Sequence, residues 1–340
     1  MRDTVFSRQL AAYFGVHLPE VRNCSMNTIK SYANAFAVLY DYFDEKRGVP
    51  HYKIDYKDFT PKLLEEYILW LVRERNYSAA SVKARISALN SFLKYASRRD
   101  IVALPAFTVV VGAEKPKQNH KPFPYFTLEE MGILLRSPAS DKKTDKRDLV
   151  LLSAFYETAA RAQELCDLKV GDVKFGATTK VRLLGKGKKT REVPVSCDVA
   201  ELLRYHIRIN DLADKRDEPL FLSQLGSKMT TACIRNLVNK YVGKAKAGYP
   251  SLFNEPKYSP HSFRHSKAVH MVESGVQLIY IRNFLGHASV QSTEVYARIG
   301  QTALVKMLTE RGKAKEQTMP TAEKSSIEKY PDFIGYARRK

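Results

Sequence analysis

The chain has 340 residues and a formal net charge of +20, with 56 Lys and Arg against 36 Asp and Glu. The excess runs through the whole length, net +7 over residues 1–121 and net +13 over 122–340, as a grip on a long polyanion from more than one side requires. Four dispersed cysteines (24, 166, 197 and 233) exclude a CxxC zinc site, and no stretch of about eighteen apolar residues is present to span a membrane. The N-terminus is interrupted by Arg, Asp and Gln and has no secretory apolar core, so the expectation is an intracellular protein with reduced thiols. No basic amphipathic segment dominates, which speaks against a membrane-surface role.

Four helical patterns open the chain. The first, around residues 3–14, aligns Phe6, Leu10 and Tyr13; the second, 27–46, aligns Ile29, Tyr32, Phe36, Leu39 and Phe43 and closes at Gly48. Thr60 and Pro61 start the third as N-cap and first helical residue. Ser78 or Ser81 starts the fourth, which buries Val82, Ile86, Leu89 and Leu93 and turns Lys83, Arg85, Lys94, Arg98 and Arg99 to another face. Taken alone, such a face is more often solvated surface than a DNA contact. Residues 109–124 then read as an extended basic linker with Lys115, Lys117 and Lys121, suited to a path along a phosphate backbone. A capping box, Thr127 to Glu130, opens a second domain. A helix over 145–159 follows, then a strand-turn-strand region whose stretch from Lys174 to Arg191 has seven basic residues and no acidic one. Helices are expected near 198–212, 229–247, 260–274, 276–285 and 300–314, before a polar tail over 316–340. The expected fold is mainly α with a small β-sheet (α+β). Its domains are a helical bundle over 1–108, the linker over 109–124 and a mixed domain over 125–315.

The chemistry concentrates near the C-terminal end, where His261, Arg264, His265, His287 and Tyr296 lie within 36 residues. Ser259 and Pro260 put His261 and Arg264 in the first turn of a helix, where spare N–H groups favour an anion. His261 and His265 at i and i+4 could form half a zinc site, but the metalloprotease Glu and a third ligand are missing. Earlier, a helix-borne Arg161 has Glu164 three residues on, which by itself is most simply a helix ion pair. Lys186 sits between glycines in a hairpin, free to approach a nearby oxygen as a proton donor, and solvated hairpin tips look the same. GKGKKT lacks the earlier glycine of a phosphate-binding loop. The set holds cations, imidazoles and a phenol, which suit attack on a phosphodiester.

In order and spacing these residues resemble the tyrosine recombinases of the phage integrase family. The resemblance rests on the arginine, the hairpin lysine, HSFRH, LGH and a tyrosine nine residues later in EVYA. It covers nearly the whole chain, with Thr28, Ile29 and Tyr32 matching the core-binding domain more weakly. It implies Arg161, Lys186, His261, Arg264, His287 and Tyr296 as catalytic residues, with Glu164 and His265 in support, His265 as helix packing or as a neighbour of the catalysts. It implies no cofactor and no metal. Double-stranded DNA is the implied substrate, bound by the cations named above and by Lys188, Lys189 and Arg191. Further implications are a homotetramer on paired sites, accessory or sister recombinases, and a cytoplasmic, nucleoid-associated location. Strand exchange through a 3′-phosphotyrosyl bond would serve integration, excision, resolution or transposition. A type IB-like topoisomerase and a catalytically idle DNA-binding protein on the same scaffold are the alternatives. One departure stands out: the family usually has Thr-Gly before its first arginine, and here Thr158 is followed by Ala159 and Ala160. An alanine fits there only if the backbone does not need a positive φ.

Overall fold

A computed structural model describes residues 4–117, 123–185, 189–286 and 295–296. The chain forms two compact units, residues 1–121 and 122–340. Among the described residues no helix is long and apolar enough to cross a membrane.

The first unit is all helical. Helix α1, Val5–Ala12, is capped by Thr4, whose hydroxyl accepts from the Ser7 N–H at 3.2 Å. It does not stop near residue 14, as its period predicts, but widens into a π-helical stretch over Tyr13–Val21. Pro19, which has no N–H to give, lies inside that stretch, and the Arg22 N–H reaches five residues back to the His17 carbonyl at 2.9 Å. Helix α2, Met26–Arg47, starts at the Ser25 cap and ends at Gly48, whose left-handed φ of +61° an L side chain would strain. Helices α3, Pro61–Arg73, and α4, Ala79–Ser97, start at Thr60 and Ser78, each cap being worth about 1 kcal/mol. Phe6 of α1 packs its ring against Tyr56, Phe59 and Phe92 at centroid distances of 5.1–5.5 Å, which ties α1 both to the segment before α3 and to α4.

One more helix, α5, Leu104–Gly112, occupies residues that read as the end of the bundle and the beginning of the linker. Its Thr-Val-Val-Val run is stiff at χ1 and poor at forming helix. Burial of Ala106 and Val110 in the core overrides that preference, so the linker cannot begin before residue 113.

The second unit surrounds a small antiparallel sheet with helices. Helix α6, Leu128–Arg136, opens with the expected capping box: the Glu130 N–H donates to the Thr127 hydroxyl at 3.2 Å, and the Thr127 N–H to the Glu130 carboxylate at 2.8 Å. Helix α7, Lys143–Thr158, is followed by a short helix α8, Ala162–Cys166. Strands β1 (Val173–Lys174), β2 (Lys180–Leu184) and β3 (Thr190–Pro194) pair in that order. Val181, Leu183 and Val193 alternate inward, with Leu183 opposite Arg191. Helices α9 (Cys197–Ile209), α10 (Thr231–Gly248), α11 (Pro260–Glu273) and α12 (Leu278–Leu285) complete the unit. The helix expected over 300–314 and the tail over 316–340 lie outside the described residues. The four cysteines are free thiols.

Candidate active site

The site is assembled around a sharp break between α7 and α8. Helix α7 ends in Ala159, which takes a left-handed φ of +46°. The backbone here does need the positive φ that the sequence put in question, and an alanine supplies it at about 1–2 kcal/mol of strain. Two things hold it there. Its methyl is buried with Ala268, Val269, Ile281 and Leu285, and its carbonyl accepts from an Arg264 guanidinium N–H at 2.8 Å.

The turn changes the placement of Arg161. It is not inside a helix but is the extended N-cap of α8, with φ −77° and ψ 152°. Glu164 reaches back to it twice, accepting from its N–H at 2.8 Å and its guanidinium at 2.7 Å. Glu164 is only 4% exposed, so this is no surface helix pair. Its second partner is Arg191 of β3, whose two terminal nitrogens donate to the two carboxylate oxygens at 2.9 and 2.8 Å while Nε donates to the Phe284 carbonyl at 3.0 Å. Burial alone would raise the Glu164 pKa; the bonds from Arg191 and from the Arg161 backbone outweigh it and bring the carboxyl down to about 2.

Arg191 is therefore not the DNA-facing cation expected from the basic hairpin; it is 12% exposed and spent on Glu164. Sequence reasoning missed this role because a cation on a strand beside other cations reads as solvated surface. Two glycines pack on the same pair. A Cβ on Gly185 would lie 3.4 Å from a Glu164 oxygen, and one on Gly286 would lie 3.1 Å from the Arg191 side chain. Each glycine directly precedes a sequence-predicted catalytic residue. Those residues, Lys186 and His287, lie outside the described residues, as do Lys188 and Lys121.

Arg264, on the first turns of α11, is 3% exposed and clamped by two backbone carbonyls, Ala159 and Leu285 at 2.8 and 2.5 Å. Burial, Arg161 and Arg191 lower its pKa to about 9, which leaves it charged at neutral pH. His261 sits three residues before it on the exposed rim of α11. Partial desolvation and the charges of Arg264 and Arg161 push the His261 pKa below its usual value, keeping the imidazole neutral and able to accept a proton.

Tyr296 is 2% exposed and sits in the apolar cluster of Ala159, Ala268, Val269, Ile281 and Leu285. Burial raises its pKa to about 12 against the lowering effect of Arg264. Its hydroxyl shares a hydrogen bond of 2.8 Å with Nδ1 of His265. His265, expected as packing or as a neighbour of the catalysts, thus touches the phenol directly. Among the described residues no group of three or more His, Cys, Asp or Glu could hold a metal ion.

The remaining candidate cations divide by environment. Lys94 of α4 and Arg98 and Arg99 just past its end are exposed and, with Arg22 and His17, line a hollow of about 520 Å³. Arg99 lies over the Tyr95 ring at 3.8 Å. Arg85 instead lies flat on Tyr77 at 3.7 Å and donates to the Ser81 carbonyl of its own helix at 3.1 Å, and Lys83 is half-buried. Lys189 is exposed, and its carbonyl accepts from the Gly185 N–H at 2.8 Å across the hairpin. Lys115 and Lys117 fall after α5, outside any helix or strand.

Comparison with known proteins shows what the chain as a whole is similar to. The profile of the phage integrase family matches residues 125–302, just over half of the chain. The profile of the phage integrase N-terminal SAM-like domain matches residues 12–102. The chain is 30% identical to the tyrosine recombinase XerC of Chlamydia caviae over 243 residues, 71% of this chain and 74% of that protein. It is 26% identical to a putative integrase/recombinase of Sinorhizobium fredii over 317 residues, 93% of this chain and 92% of that one. In fold it resembles the XerH site-specific recombinase bound to palindromic difH substrate in a post-cleavage complex, with TM-score 0.66 and 22% identity over 85% of this chain and 81% of that one. It also resembles the Tn1549 transposon integrase in complex with transposon right end DNA, with TM-score 0.68 and 16% identity over 88% and 99%. With both profiles in place along its length, the chain belongs to the phage integrase family, the tyrosine recombinases.

Proposed function

We propose that this protein is a site-specific DNA recombinase that cuts and rejoins duplex DNA through Tyr296. The observation that carries the reading is one phenol hydrogen-bonded to the His265 imidazole and within the field of the Arg264 guanidinium, which also feels Arg161, Arg191 and Glu164. The Tyr296 oxygen attacks the scissile phosphorus and displaces a 5′ hydroxyl. The phosphotyrosyl ester keeps the bond energy for rejoining, so no nucleotide is consumed. Even at the ordinary phenol value of about 10, ionising Tyr296 at pH 7 costs about 4 kcal/mol, and burial in the resting position adds to that cost. A neutral base in place during attack removes the need for ionisation in advance, and His261, its pKa lowered by desolvation and then by the charges of Arg264 and Arg161, suits that task. Arg161 and Arg264 stabilise charge on the non-bridging oxygens, which is the main requirement of phosphoryl transfer. Lys186 protonates the leaving oxygen, and His287 bonds the phosphate or the phenol.

Double-stranded DNA lies along the basic surfaces, with Lys94, Arg98 and Arg99 of the first unit and Lys189 of the second among the contacts. Exchange between two sites calls for a tetramer, with accessory or sister recombinases as candidate partners and the nucleoid as the place of action. Tyr296→Phe is the test: the protein should still bind its DNA but form no covalent complex with a nicked suicide substrate. An adduct that survives the substitution moves the nucleophile elsewhere. A plasmid assay separates the topoisomerase alternative, since relaxation of supercoils needs no pair of defined sites.

A further inference from the structure

Three rings meet at the buried phenol. Phe123 stacks on His265, centroids 4.2 Å apart and planes 26° from parallel, and stands edge-on to Tyr296 at 5.2 Å and 71°. His265 in turn shares its 2.8 Å hydrogen bond with the Tyr296 hydroxyl. Phe123 is placed by a docked backbone. Three residues on, the Phe126 N–H donates to the Ser266 hydroxyl at 2.8 Å, His270 Nε2 and the Phe126 carbonyl are 2.9 Å apart, and the Phe126 ring lies flat on Tyr258 at 4.3 Å. Ser266 and His270 follow His265 on α11, so the helix that carries the phenol's partner also anchors the segment that covers it.

We propose that Phe123 is a positioning residue for the nucleophile: stacked on His265 and edge-on to Tyr296, it holds the phenol in a withdrawn resting position from which DNA engagement releases it. The proposal rests on Tyr296 being the nucleophile. The Tyr296 side chain is 2% exposed and its hydroxyl is engaged by His265, so the phenol is held back rather than presented to a phosphodiester. The flat stack limits rotation of the His265 ring, and the ring's orientation keeps Nδ1 on the phenol. Among the described residues, the charged and titratable groups facing that phenol are Arg264 and His265, with His261 one ring further at 6.3 Å from His265. None of them is altered by changing Phe123.

Removing one aromatic ring from the stack should shift the balance between withdrawn and released phenol by about three- to ten-fold. Phe123→Ala should therefore form the covalent adduct on a saturating nicked suicide substrate about three to ten times faster, and Phe123→Tyr, which keeps the ring, should return the rate to that of the parent. In the DNA-free protein, nitration of Tyr296 by tetranitromethane, mapped by peptide mass, should rise in Phe123→Ala. Tyr241, also buried in this unit, should stay protected. Phe123→Leu keeps most of the apolar volume and should move both readouts in the same direction, so it carries the test if the alanine variant does not fold. Unchanged or slower adduct formation overturns the proposal, as does nitration of Tyr241 together with Tyr296, which marks general loosening. Failure of the nucleophile assignment looks different, because an adduct would then persist in Tyr296→Phe.

Discussion

Glu164→Gln removes a charge that three groups share. In the folded chain the carboxyl is brought from 4.5 down to about 2, a gap that corresponds to about 3 kcal/mol of stability. The sign follows from the direction: a carboxyl depressed on folding stabilises fully above its unfolded value and loses that contribution as pH falls through the folded one. The contribution is thus complete above about pH 5, falls to about 1.5 kcal/mol at pH 3 and vanishes below pH 2. Removing one partner of a buried ion pair costs about 3–5 kcal/mol, because the cation left behind is stranded. Glutamine still accepts one bond through its amide oxygen but turns its NH2 towards a guanidinium, so the lower end of that range is expected. With a urea dependence of about 2–3 kcal/mol per molar for a unit of this size, the midpoint should drop by about 1–1.5 M at pH 7. The two proteins should approach one another by pH 3. Far-UV circular dichroism follows this transition. The lone Trp70 lies in the first unit, so its fluorescence reports that unit instead. Equal midpoints at pH 7, or a difference that does not shrink in acid, would refute the argument that Glu164 is held ionised by Arg161 and Arg191.

Ala159→Gly relieves about 1–2 kcal/mol of left-handed strain but loses a buried methyl worth about 0.8 kcal/mol and loosens the unfolded chain by a further 0.4–1 kcal/mol. The terms nearly cancel, and a thermal shift of more than about 3 °C in either direction would show that one was misjudged. Lys186→Ala should slow cleavage of an ordinary phosphodiester yet leave intact the cleavage of a 5′-phosphorothiolate, whose thiolate departs without a proton; no rescue removes Lys186 from the general-acid role. Charge reversal of Lys94 and Arg98 should weaken DNA binding and flatten its salt dependence by roughly one unit of log–log slope for each phosphate no longer neutralised, measured by anisotropy across 50–200 mM salt. A parallel weakening at every salt concentration would place these cations away from the DNA.

What the sequence by itself determined is local and chemical. The capping residues Thr60 and Thr127, with Ser78 as one of two candidates, the hairpin around Gly185, and the series from Arg161 to Tyr296 are legible because helix starts, turns and reactive groups depend on neighbours a few positions away. Helix α5 was not, since burial there overrides propensity, and neither was the π-helical stretch after Ala12. Only the tertiary structure decided how the site's charges are spent. Arg191 meets Glu164 from 27 positions along the chain and Arg264 meets the Ala159 carbonyl from 105, so neither bond has a trace in spacing. The positive φ of Ala159 and the withdrawal of Tyr296 onto His265 belong to the same class. Each is set by a partner that folding brings from a distant segment, and the low-dielectric interior then turns that partner into a change of charge, ionisation or backbone strain.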